Sequence, residues 1–366
     1  VNRAALTRTA TLAFAGAAML VLSGCASLGY YWQSVSGHVQ VMQAARPVPD
    51  WLADPQASAA LKQQLQTAQR LRAYASQVLL LPDNASYTRY ADLRRSAVLW
   101  NVVAAPPLSL TLRTWCYPVT GCVGYRGFYD EARARAEADD LRAQGLDVAV
   151  YPVPAYSTLG WLNWAGGDPL LNTFIHYPEG DLARLIFHEL AHQVVYVADD
   201  MAFNEAFATA VERLGVRQWL ATQADDAARQ ADARSSQRRA QLQALTRATR
   251  ERLAAAYAAG ASQAGETEAL LARKQAILQD FRARYAQLRD GWEGDPARWR
   301  ATDRWVQEAN NATFGADAAY DAWVPAFEAL FEREGRDWRR FYDAVLRLGQ
   351  MPRAQRHDLL KELTRA

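Results

Sequence analysis

Residues 185–193 read Leu-Ile-Phe-His-Glu-Leu-Ala-His-Gln, and the reactive groups among them are His188, Glu189 and His192. On a helix, side chains four apart share a face. Two imidazoles at this spacing can therefore reach one zinc ion, while Glu189 projects beside them toward a metal-bound water. That carboxylate would take the water's proton, direct the hydroxide at a peptide carbonyl and pass the proton to the leaving amine. The chain has five histidines in all, so the chance of this pattern arising by accident is on the order of half a percent. The plain alternative is a pair of surface histidines on a structural helix. Leu185, Ile186, Leu190, Ala191, Val194 and Val195 can bury the remaining faces of such a helix.

Zinc needs a third protein ligand and an open fourth position. No HExxHxxGxxH arrangement is present, and the one histidine after His192 is His357, in a polar C-terminal run. The segment from Ala202 to Glu212 instead resembles the NExxA helix of gluzincins, in which the Glu completes the metal site, and this makes Glu205 the expected ligand. Twelve residues separate His192 from Glu205, a shorter connection than thermolysin or the alanyl aminopeptidases use. Two antiparallel helices joined around Asp199-Asp200-Met201 still return Glu205 to the metal. Asp199, Asp200 and Glu212 remain alternatives, and Asp199 and Asp200 serve equally well as the end of one helix and the cap of the next. Glu212 lies seven residues after Glu205 on the same helical face and is a candidate to orient a ligand. Tyr320 is a candidate catalytic donor to the oxyanion, with a packed aromatic as its plainer reading. His176 reads as closing a loop before Pro178. Upstream, Tyr156, Ser157, Thr158, Leu159 and Gly160 form the candidate substrate-binding edge strand, against an ordinary turn at Gly160. The GAMEN motif of the alanyl aminopeptidases is absent.

Several elements must position these groups. Apolar spacing predicts a helix from about Pro55 through Leu81, a shorter helical or mixed element over Tyr87–Ala97, and one or two strands over 98–112 interrupted at Pro106-Pro107. An amphipathic helix from Glu131 to Gln144, stopped by Gly145, precedes a strand at Val148–Val153. Two helices fill Leu182 to about Leu220. From 221 to 288 the composition shifts to Ala, Arg, Gln, Glu and Leu, broken at Gly260–Gly265. This is the pattern of a long antiparallel hairpin with arms of roughly 40–50 Å, mixed in charge and solvated. Aromatics return from Trp292 onward and read as a part that folds back onto the core.

The chain has 366 residues, 22% charged and 50% hydrophobic, which excludes a disordered tail or a small disulfide scaffold. Arg3 and Arg8 are the charges before Gly24, so without that segment 39 basic residues face 39 acidic ones. Such a balance gives no reason to seek nucleic acid. Residues 1–24 read as a signal peptide with its apolar part at Leu12–Leu22. Leu22-Ser23-Gly24-Cys25 resembles the lipobox of bacterial lipoproteins, which makes Cys25 the expected lipidation site and membrane anchor. Ala26 after it favours the periplasmic face of the outer membrane. Cys116 and Cys122, with five residues between them in an exported chain, read as a disulfide closing a small loop.

Together the motifs resemble the predicted aminopeptidases of bacteria, usually lipoproteins. The resemblance runs from Tyr30-Tyr31-Trp32-Gln33 and Gly37 through Asn101–Pro106, Trp115-Cys116, Gly121-Cys122, Tyr125–Phe128, Tyr156–Trp161 and Asp168-Pro169 to the block His188–Glu212, and on to Asn310-Asn311-Ala312. It implies a zinc metallopeptidase with one Zn2+ on His188, His192 and Glu205, and with Glu189 as the catalytic group. The expected fold is α+β and mostly helical: a zincin-like core with a small sheet, an HExxH active-site helix and a long antiparallel helical hairpin. The expected divisions are 1–24 (signal), 25–220 (catalytic core), 221–291 (hairpin) and 292–366 (C-terminal helical part). The expected function is an aminopeptidase acting on peptides. Its rivals are an envelope metalloendopeptidase of the same mechanism and a non-catalytic periplasmic scaffold whose hairpin binds a protein partner.

Overall fold

The structure is a computed structural model and describes residues 29–30, 32–117, 121–155, 158, 166–258, 266–294, 296–321 and 323–365. The expected signal segment and Cys25 lie outside them. A first helix, α1, covers 32–44. It leads into β1 (Arg46–Pro47), α2 (Val48–Ala53) and α3 (Ala59–Gln77), whose start is fixed by the Ser58 hydroxyl accepting the Leu61 N–H. The chain leaves helix sooner than its spacing predicts, and Leu80 turns it with φ of 54°. The stretch 87–97, expected as helical or mixed, holds instead the short strand β2 (Arg89–Ala91). Tyr87 and Arg94, at φ of 64° and 53°, break any helix at both ends of it. β2 pairs with β1 antiparallel and with β8 (Leu170–Leu171) parallel.

The second sheet carries the site's wall. Strand β3 (Leu99–Ala105) is its centre, flanked by β6 (Arg126–Phe128) and β7 (Asp147–Val153), both antiparallel to it. Between β3 and β6, β4 (Trp115–Tyr117) and β5 (Gly121–Val123) form a hairpin in which Cys116 lies opposite Cys122, and the two are disulfide-bonded. The reading of strand over 98–112 narrows to β3, because Pro106-Pro107 end the ladder. α4 (Glu131–Ala143), capped by Asp130 on the Arg133 N–H, covers one face of the sheet, where Trp100, Val102, Ala104 and Phe128 meet Ala134, Ala138 and Leu141. The alternate residues Asn101, Val103 and Ala105 turn to the other face, as the two-residue period of a strand requires. There Val103 and Ala105 meet Ala312, with Tyr125 and Tyr151 alongside.

The remainder is helical: α5 (Glu179–Ala191), α6 (Met201–Thr222), α7 (Asp226–Ala258), α8 (Glu266–Asp290), α9 (Arg300–Glu308), α10 (Asn311–Asp321), α11 (Val324–Arg333), α12 (Trp338–Gly349) and α13 (Arg353–Arg365). The protein is thus α+β and mostly helical. α7 and α8 make the long hairpin, and one face of it is buried: Leu253, Ile277, Leu278, Phe281 and Tyr285 pack with Val306 and Phe314. Its second arm is pinned to the sheet by the buried Lys274, whose Nζ lies 2.5 Å from Asp147 Oδ2 and 3.1 Å from the Pro107 carbonyl. Asn311 adds to the same node, its N–H donating to Asp147 and its Nδ2 to the carbonyls of Pro106 and Pro107. The returning aromatics of the C-terminal part, Phe327, Phe331, Trp338, Phe341 and Tyr342, share one core with Phe187, Phe203 and Phe207.

Candidate metal centre

Helix α5 supplies the first groups. Leu182, Ile186, Phe187 and Leu190 are fully buried, about 2 kcal/mol of transfer free energy each. Glu179 and Asp181 in its first turn suit the positive end of the helix. These anchors leave His188 and Glu189 on the remaining face. His192 is the C-cap residue, still at φ −59° and ψ −20°, so the four-residue facing persists through it.

The chain then turns over residues 192–200 and re-enters helix at α6. Asp199, at φ of 61°, makes the turn, and its Oδ1 accepts the Cys122 N–H at 2.7 Å. Only glycine fits at position 121, since its φ is 71° and a Cβ there would stand 2.5 Å from that same oxygen. Asn204 closes the loop from the other side, exchanging two 2.8 Å hydrogen bonds with the backbone of Val197. Asp200 caps α6 by accepting the Phe203 N–H. Its fully buried carboxylate is gripped by Arg356 Nη2 at 2.6 Å and His357 Nε2 at 2.8 Å. Burial alone would raise the Asp200 pKa, but these two partners hold it below the ordinary carboxylate value. Asp199 and Asp200, alternatives for the third ligand, are therefore engaged elsewhere.

Helix α6 brings Glu205 to the histidines. The Nε2 atoms of His188 and His192 are 3.2 Å apart, and Glu205 Oε2 lies 3.4 Å from the first and 3.7 Å from the second. Ligands at 2.0–2.1 Å from a tetrahedral zinc are separated by about 3.3 Å. The triangle of donors fits that sphere, and two imidazoles with one carboxylate are a donor set zinc accepts. Among the described residues, these three form the group whose ligand atoms converge closely enough to hold a metal ion. Glu212, one further turn pair along α6, sits behind the triangle, its Oε2 3.2 Å from His188 Nδ1. With a metal bound, a proton on Nδ1 donated to that carboxylate would leave Nε2 as the coordinating nitrogen.

The protonation pattern follows from these contacts. Burial pushes His188 down, but Glu205 and Glu212 together carry it well above its usual value. His192 lacks a second carboxylate, and burial brings it down to about 4, so it stays neutral with a free lone pair at physiological pH. Burial would raise Glu205, yet the two histidines lower it. Glu189 is pushed up to about 7, by burial first and by the negative charges of Glu205, Asp168 and Glu212, against the opposing pull of His188. It borders a cavity of about 400 Å³ together with Tyr177, Asp181, Arg184, Leu185, His188, Glu212 and Arg239.

A family description now joins the geometry: a sequence model described as putative aminopeptidase matches residues 29–360. The chain belongs to that family. No curated protein and no solved structure matches it. In this aminopeptidase-family chain, groups that the sequence reading passed over surround the expected ones. Arg184 Nη1 stands 3.9 Å from Glu212 Oε1, and its Nη2 donates to Asp232 at 2.8 and 3.1 Å. Asp232 lies on α7, so the base of the hairpin is wired into the site. Arg239, on the same arm, pairs with Asp181. Tyr125, Tyr151 and Tyr196 form an aromatic fringe whose pKa values are raised by burial and then by the charge of Glu205; Tyr151 reaches about 12. The signal for Tyr151 was its two-residue phase on β7, opposite Asn101. Nothing local in the sequence marks Arg184 or Asp232.

Tyr320 belongs to α10, and its side chain lies outside the described residues. Of the substrate-strand candidates, Tyr156, Ser157, Leu159 and Gly160 lie outside them as well. Thr158 is described, and its N–H donates to both oxygens of Asp168 at 3.2 and 3.0 Å. His176 is exposed in the turn before α5, as the loop reading expects.

Proposed function

We propose that this chain is a zinc-dependent peptidase with a zincin-like core, an aminopeptidase carried by a lipid on Cys25 at the periplasmic face of the outer membrane. The observation that carries the catalytic reading is the convergence of His188, His192 and Glu205 with Glu189 on the same helix. Zinc held by those three would supply Lewis acidity and the acidification of a water molecule. The chain's own groups do the rest. Glu212 fixes the tautomer of His188, and burial keeps His192 neutral. Glu189, poised near neutrality, accepts a proton at its carboxylate and returns it to the nitrogen of the departing amine.

The test is zinc content measured on purified protein, followed by peptide cleavage by wild type and Glu189→Gln. The expected result is about one zinc per chain in both and cleavage lost only in the variant. Bound metal with equal activity in both, or with none in either, would remove the catalytic reading and leave a scaffold. Free and N-blocked versions of the same peptides separate the aminopeptidase from an endopeptidase, which would cut both.

A further inference from the structure

Helix α1 carries apolar side chains on both of its faces, one packed on the protein and one turned outward. Its inward positions are Gln33, Gly37 and Val41, four residues apart and buried. Gln33 is fixed there by its Oε1 accepting the Tyr129 N–H at 3.0 Å and its Nε2 donating to the Gly127 carbonyl at 3.3 Å. Gly37 lets the helix lie directly on Tyr129, whose ring would stand 2.2 Å from any Cβ at that position. The outward stripe is Trp32, Val35 and Val39, exposed by 72%, 60% and 43%. The amide of Gln33, the close approach at Gly37 and the core packing of Val41 together hold the helix in an orientation that turns Trp32, Val35 and Val39 outward. Among the described residues Trp32 is the most exposed of the large hydrophobics.

Charge sharpens the contrast. From Ala26 through Ala45 there is no Asp, Glu, Lys or Arg, in a chain that is 22% charged. Beside this uncharged helix, Trp32 borders a shallow cavity with Arg95, Asp130 and Arg133, and an exposed Trp next to basic groups suits the level of lipid headgroups. Cys25 stands seven residues ahead of Trp32. Extended, that span reaches at most about 25 Å. A lipid on Cys25 would hold the Trp32 face within that distance of a bilayer.

We propose that the Trp32, Val35 and Val39 face of α1 docks on the lipid surface beside the anchor, so that the protein lies in a fixed orientation instead of hanging from a flexible tether. This rests on the reading of Cys25 as the acylated residue. The test uses the full-length acylated protein on phosphatidylethanolamine/phosphatidylglycerol vesicles, with an environment-sensitive fluorophore on Val35→Cys or, as control, on Leu359→Cys in α13. The expected result is a blue-shifted emission at position 35, quenched at least two-fold by lipids carrying a spin-label quencher, with no change at 359. Trp32→Ser/Val39→Ser should remove the quenching at 35 while leaving cleavage of soluble peptides unchanged. Vesicle-bound protein in which positions 35 and 359 respond alike overturns the docking alone. A shift at 35 that depends on protein concentration and not on the lipid quencher overturns it in favour of a second copy of the chain. Failure of the unlabelled protein to float with vesicles counts against the anchor, and the docking falls with it.

Discussion

Glu212→Gln isolates the contact behind the metal triangle. The substitution keeps the shape of the side chain and replaces the charged acceptor on His188 Nδ1, 3.2 Å away, by a neutral one. Hydrogen bonds to charged groups contribute about 1.5–3 kcal/mol and neutral ones about 0.5–1.5. The change should therefore cost about 1–1.5 kcal/mol of imidazole orientation and basicity, roughly a five- to twelvefold loss of zinc affinity. Glu212→Ala, which leaves Nδ1 without a protein acceptor, should fall within the 10- to 100-fold range typical of lost outer partners of a metal ligand. The assay is competition for zinc against a chromophoric chelator at pH 7.5, with thermal melts of the metal-free proteins to show that both variants fold. At saturating zinc, Glu212→Gln should recover most of its turnover, because the carboxylate acts on the ligand and not on the substrate. Zinc affinity equal to wild type in both variants, while Glu205→Ala loses the metal, would refute the orienting role.

Glu205→Ala should lower zinc affinity far more than either change at 212, since two imidazoles alone remain; equilibrium dialysis reads this directly. For Asp200, the folded pKa is held below the unfolded value of about 3.9. Its contribution to stability is thus complete above that value and is lost as pH falls through the folded pKa. Asp200→Asn, which strips Arg356 of its buried counter-charge, should cost about 3 kcal/mol near neutrality and flatten the acid limb of stability measured by denaturant titration. Replacing Cys116 and Cys122 with serine removes a short cross-link whose loop length predicts a loss of about 2 kcal/mol, measurable as a lower melting temperature than that of the oxidised wild type.

What the sequence made legible was local. His188, Glu189 and His192 announce themselves because helical geometry and ligand geometry share a four-residue spacing. Glu205 is expected from the resemblance of the segment 202–212 to the NExxA helix, and Glu212 follows because α6 keeps both on one face for two turns. The disulfide, the long hairpin and the strand at Val148–Val153 are likewise short-range patterns. The groups that were missed are bound across long stretches of chain. Arg184 finds Asp232 on the hairpin, Cys122 finds Asp199, and Arg356 finds Asp200; no periodicity encodes such pairings. The misreading of 87–97 has a different origin, since two non-glycine residues adopt left-handed backbone angles that composition does not advertise. The mixed charges of the hairpin conceal the apolar stripe through Leu253, Ile277 and Phe281 that gives it a buried side.

The turn between His192 and Glu205 has a consequence for how the molecule matures. It is held by the disulfide ribbon through Asp199 and by the last helix through Asp200, parts of the chain made long before it and long after it. A nascent polypeptide that has not yet delivered Arg356 and His357 has both imidazoles in place but an unsecured third donor. The placing of Glu205 therefore depends on the far end of the chain, and a truncation that removes Arg356 and His357 should disturb that carboxylate while leaving both imidazoles on their own helix.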